Sequence, residues 1–93
     1  MELTFDNIIG KHILVGVTYI ANNEVIEQIQ KHGVIIKSND ELITLINNSD
    51  GNEFSIPSDL SAIKEAPNGE YKLYSTGEVV INPDLLATWI VEK

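Results

Sequence analysis

The sequence predicts a mostly β fold: a small barrel, or two packed antiparallel sheets, of six or more short strands with one or two short helical turns. Three observations lead there. Short apolar runs rich in Val, Ile and Thr recur along the chain, the composition that suits a pleated, half-buried surface. Gly, Asn, Asp and Pro punctuate these runs at strand-length intervals, and these residues turn a chain. The densest stretch, His12 to Lys37 (HILVGVTYIANNEVIEQIQKHGVIIK), joins three runs across Ala21-Asn22-Asn23 and Gly33, and it is the expected seed of the sheet.

Taken in order, Leu3 to Ile9 reads as a short helical turn, with Thr4 as cap and Gly10 as its end. His12 to Ile20 alternates Ile13, Val15, Val17 and Tyr19 against Leu14, Gly16, Thr18 and Ile20, the period of a strand. Gly16 inside it marks an expected bulge or close approach. Glu24 to His32 carries helix signals, an Asn23 cap and Gly33 beyond its end, but its apolar stripe is thin. Its place between two better strands, after a short turn, favours a hairpin. Val34 to Ile36 continues the sheet. Glu41 to Asn47 and Glu53 to Ile56 form a second hairpin around Asp50-Gly51, closed by Pro57. Ser58 to Ala66 reads as one or two helical turns capped by Ser58. Glu70 to Ser75, Glu78 to Ile81 and Ala87 to Val91 are the last strands, divided by Thr76-Gly77 and Asn82-Pro83-Asp84.

Ninety-three residues, 43% hydrophobic and 22% charged, are expected to form one domain, 1–93, that folds unaided. Without cysteine there is no disulfide, thiolate metal site or cysteine nucleophile. The acidic start MELTFDNIIG has no cationic lead into an apolar run, so the cytoplasm is the expected location. Fourteen acidic and six basic residues leave a net charge of -8, with no arginine at all. That balance argues against nucleic acid and anionic membranes as partners, both of which need clustered cations. It favours a basic protein partner, since complementary potential speeds encounter.

Residues able to carry chemistry are few. His12 and His32 are the only imidazoles, each at the end of an apolar run without His-x-His or His-x-x-x-His spacing, so both are expected at the surface with no metal between them. Asp50, Asn52 and Glu53 lack the full spacing of a calcium loop. Asp40-Glu41 and Asp59 with Glu65 are the pairings expected by chance among fourteen acids, and the dispersed glycines form no phosphate cradle. No catalytic, cofactor or metal residue is therefore assigned, and no cofactor is expected. Tyr71, Tyr74 and Trp89, together with His32, are the candidate partner-binding residues, because aromatics favour both cores and recognition surfaces.

The tail PNGEYKLYSTGEVVINPDLLATWIVEK, with Gln28-Ile29-Gln30-Lys31-His32-Gly33, resembles a group of small uncharacterised bacterial β-rich proteins. That group has a Gln-rich hairpin ending in His-Gly, then Gly-Glu-Tyr, Thr-Gly-Glu-Val-Val, Asn-Pro-Asp and Trp. The resemblance covers most of the chain and implies a free-standing β domain without implying an activity. The pattern is also similar to Src-homology-3-like and Sm-like small barrels. It lacks the ordered proline-binding aromatics of the first and the basic RNA contacts of the second.

The expected function is a non-enzymatic protein-interaction domain, an acidic antagonist or adaptor of a basic protein. Two alternatives stand beside it. One is a small-ligand protein or hydrolase using His12 or His32 with carboxylates. The other is a structural subunit, a homo-oligomer pairing through an exposed edge at Val34 to Ile36 or Val79 to Ile81.

Overall fold

The computed structural model describes residues 2–48, 50–73 and 76–92. Among these residues eight strands run His12–Ala21 (β1), Glu24–Ser38 (β2), Leu42–Asn47 (β3), Glu53–Pro57 (β4), Ile63–Glu65 (β5), Glu70–Lys72 (β6), Val79–Ile81 (β7) and Leu85–Glu92 (β8). Six of them form one sheet in the order β4-β3-β2-β1-β8-β5, curled into a half barrel, and β6 with β7 makes a small second sheet. The mostly β expectation holds. Tyr74 and Ser75, the end of the expected 70–75 strand, lie outside the described residues.

Glu24 to His32 is strand. The hairpin that joins it to β1 turns through Asn22 and Asn23, both at positive φ (53° and 64°), which is the two-residue geometry that matches the twist of paired strands. Beyond His32 the strand continues unbroken through Gly33 to Ser38. All pairings are antiparallel except β1 with β8, which run parallel from Ile13↔Leu85 to Ile20↔Glu92. This closing of the two chain ends onto one another is invisible in a period-two pattern, which is identical for either direction.

The core lies on the concave face. Ile13, Val15 and Val17 of β1 meet Ile35, Ile43, Leu45, Ile56, Ile63, Leu85 and Ala87 from the other five strands, with Ile8 buried at one end. On the opposite face, Leu14 packs beneath Leu73 and Val80, flanked by Tyr71 and Leu86. The β6–β7 hairpin therefore covers one end of the convex face.

Four local expectations are corrected. The segment from Leu3 to Ile9 is a turn rather than a helix: the Asn7 amide donates to Thr4 Oγ1 at 3.0 Å and the Thr4 amide to Asn7 Oδ1 at 2.9 Å. These local bonds satisfy the backbone without a helical ladder. Ser58 to Ala66 is not helical beyond a single 3₁₀ turn at Leu60–Ala62, capped by Asp59, whose carboxylate accepts from the Ser61 amide at 3.0 Å. Ile63–Glu65 instead pairs with Ala87 to Leu85 of β8, which buries Ile63 and supplies backbone partners that a helix would deny to β8. The close approach expected at Gly16 occurs at Gly33, where a Cβ would overlap the Ile46 carbonyl, and the register shift in β1–β2 falls at Tyr19/Ile20. Finally, Val34 to Ile36 is no edge, because it sits between β1 and β3.

Candidate functional site

The two histidines, expected at the surface, are brought together. His12 and His32 are twenty residues apart in the chain, and the β1–β2 ladder, with Leu14 opposite His32 and His12 opposite Val34, sets them diagonally on the convex face. His12 Nε2 lies 2.9 Å from His32 Nδ1, and His32 Nε2 lies 3.0 Å from Glu78 Oε2. His32 is buried, at 5% exposure. The β6–β7 cover explains its burial, and Glu78 at the mouth of β7 reaches it from that cover. Corrected placement follows from pairing: a strand-end position is exposed only while nothing lies over it.

A carboxylate accepts and cannot donate. With Glu78 ionised, His32 donates through Nε2, its Nδ1 accepts from His12 Nε2–H, and His12 Nδ1 is left bearing a lone pair. Burial, and next the neighbouring His32, push the His12 pKa below 6.5, while the Asp84 carboxylate pulls the other way. Asp84 is tied to the same place through the backbone, accepting from the His12 amide at 2.9 Å. The arrangement is a hydrogen-bonded relay that joins the two sheets and can hold one extra proton. Two protons would set N–H against N–H.

The aromatic candidates do not converge. Trp89 packs against the concave core, opposite Val17, whereas Tyr71 packs against the Leu14 cluster on the other face and donates its hydroxyl to the Pro67 carbonyl at 2.6 Å. Tyr74 lies outside the described residues. Among the described residues, no group of three or more histidines and carboxylates is set to hold a metal.

Two further features escape sequence reasoning. β3 pairs with β2 only from Gly33 to Ser38, and β5 meets β8 only at Leu85 to Ala87. Among the described residues no strand lies outside Glu24–Gln28 or Ile90–Glu92, so β1, β2 and β8 project as a three-stranded arm. Its exposed apolar residues are Val25 at 60%, Ile26 at 54%, Ile90 at 69% and Val91 at 38%. By register Val25, Ile90 and Glu92 share the convex face with Gly16, whereas Glu27 and Val91 share the concave face with Tyr19, and Glu24 pairs with Ala21 at the tip. On the convex face of this arm, a cleft of about 270 Å³ opens over Gly16, between Gln30 and Thr88 in one row of the sheet and beside Thr18 and Gln28 in the next. A second cleft, of about 240 Å³, lies by Lys11, Asp84 and Asn82. Neither histidine lines either one.

The molecule is thus a half-barrel β domain with a partly buried Glu–His–His relay centred on the buried His32, and an acidic, partly apolar arm. No protein-family profile, curated protein or solved structure is significantly similar to this chain. Among the described residues, no helix is long and apolar enough to cross a membrane.

Proposed function

We propose that this chain is a protein-interaction domain, an antagonist or adaptor that receives a basic protein on the β1–β2–β8 arm. The observation that carries the reading is the arm itself: two strand edges that have no neighbour among the described residues, and exposed apolar side chains accompanied by Glu92 on the convex face and by Glu27 on the concave one. An open edge supplies backbone donors and acceptors to an extended segment, and apolar side chains supply the buried area. The surrounding carboxylates and the net charge of -8 select a cationic partner and speed its arrival. Aggregation through such an edge is opposed by the same charge, which repels a second copy.

The test is affinity capture from lysate with the wild-type chain and with a Glu24→Gln, Glu27→Gln, Glu92→Gln variant, eluting by raised salt. A basic protein held by the first, released by salt and lost from the second is the expected result. A partner held equally by both overturns the reading. So does a dimer in light scattering with no partner captured, which favours self-association through an edge such as Val79–Ile81.

A second reading, a small-ligand protein or hydrolase, has one observation in its favour, the Glu78–His32–His12 relay. It requires a substrate at His12 Nδ1 and a cleft that reaches it.

A further inference from the structure

Gly16 breaks the local rule of its strand without a structural reason. Glycine in a strand interior weakens the strand, since it gives up the most chain entropy and contributes no packing. Four circumstances excuse it elsewhere, and none applies here. Its φ is not positive, a Cβ built on it meets nothing within 4 Å, the ladder around it is regular on both sides, and the bulge lies at Tyr19/Ile20. Gly33 on the facing strand makes the contrast, because there the Ile46 carbonyl leaves no room for a side chain. Where a sequence departs from its local preference without compensation in the fold, the departure serves something outside the fold.

What Gly16 leaves is space. It is the centre of a row reading Gln30–Gly16–Thr88, beside the row Gln28–Thr18–Ile90, and the missing side chain is the floor of the cleft of about 270 Å³. That is room for one long side chain, and not for an extended ligand. The lining is uncharged: Thr18, Thr88, Gln28 and Gln30 supply hydroxyl and carboxamide groups, Val17 and Ile29 complete it with apolar surface, and the exposed Ile90 lies beside it.

Resting on the reading of the arm as the landing surface of a basic protein, we propose that this cleft is its anchor subsite and takes one arginine side chain of the partner. The aliphatic stem lies over Gly16 and against Ile90, and the planar guanidinium offers five N–H donors to oxygens spread over two rows. A lysine ammonium is a point charge that cannot span them. The charge of -8 supplies the attraction, and the cleft supplies the choice. Buried arginine anchors in pockets are where interfaces concentrate their energy.

The probe is the capped pentapeptide Gly-Gly-Arg-Gly-Gly, titrated into ¹⁵N-labelled protein, with the isosteric citrulline peptide as control. Expected are saturable shifts of the Gly16 amide and the Gln28 and Gln30 side-chain amides, absent with citrulline. They should also be absent in Gly16→Val, which retains the wild-type fold with an equal or higher Tm because nothing opposes the added side chain. Thr88→Val provides a second lesion in the lining that keeps strand propensity, and it should weaken the shifts. Shifts unchanged in Gly16→Val, or shifts at Glu24, Glu27 and Glu92 with none at Gly16, overturn the subsite. The two readings fail separately. If the glutamate variant loses the captured protein while the peptide leaves Gly16 unmoved, the arm stands and the subsite falls. If the peptide seats at Gly16 while capture ignores those glutamates, the subsite stands and the arm falls.

Discussion

The two strand glycines face each other's strands and have opposite consequences. Replacing Gly33 by Ala drives a methyl into the Ile46 carbonyl, a backbone atom that cannot rotate aside, and should cost about 3 kcal/mol, read as a lower urea midpoint at unchanged slope. Gly16→Ala adds its methyl to open space and should gain about 0.5–1 kcal/mol in the same measurement. His12 adds a pH dependence at the same scale. Burial disfavours the His12 imidazolium in the folded chain, so the unfolded chain binds more protons below 6.5. The stability is fully present above that value and declines as pH falls through the lowered pKa. Thermal melts between about pH 7.5 and pH 5 should show the decline, and His12→Gln should flatten it. The carboxyl of Asp50, whose pKa is held below 3.8 by the Asn52 amide, acts only in a more acid range and leaves this window clear.

Among the elements, β1 is the one that all others depend on. It pairs along its full length with β2 on one side and from Ile13 to Ile20 with β8 on the other, and its two faces enter both clusters. The arm is the opposite case, where few buried apolar contacts support hydrogen bonds open to water. Amide exchange should therefore be fast at Glu24–Gln28 and at Ile90–Glu92, and slow at Ile13–Val17 and Ile43–Leu45, in one native-state experiment. Uniform protection along β2 would mean that the arm is shielded by something else, such as a second copy. The β6–β7 hairpin, too short to stand alone, is retained by Leu73, Val80 and the Glu78–His32 bond.

For the whole molecule, charge is the dominant variable. Eight excess negative charges on a chain with a Cα radius of gyration of 13.0 Å repel one another in the folded state. Raising sodium chloride from about 10 mM to about 150 mM should raise Tm, because the screening length shortens to below the molecular diameter. The same change should slow association with a basic partner, so that stability and binding rate move in opposite directions with salt. A Tm indifferent to salt would mean that repulsion among the acidic residues does not limit stability, since six lysines cannot neutralise fourteen carboxylates by pairing.

Local pattern determined the strands. Alternation in His12 to Ile20 and in ELITLIN, the Asn-Asn and Asp-Gly turns and the stop at Pro57 are all consequences of nearest-neighbour backbone chemistry, and they are legible without the fold. The position of Glu24 to His32 between two clear strands was enough to choose strand over its own helix signals. Ser58 to Ala66 carries the cap and spacing of a helix, and only the open side of β8 makes Ile63 to Glu65 a strand. The candidate site lay beyond reach for a related reason. His12, His32 and Glu78 are separated by twenty and forty-six residues, so their meeting depends on register and on which hairpin covers which face. Gly16 and Gly33 are identical as letters, and only the atoms around each decide that one is required by packing while the other leaves a cleft. Composition, period and turn chemistry act over a few residues, and they gave an acidic β domain. Parallel closure of β1 on β8, burial of His32 and the open edges of the arm arise from contacts distant in the chain, which only the tertiary structure brings together.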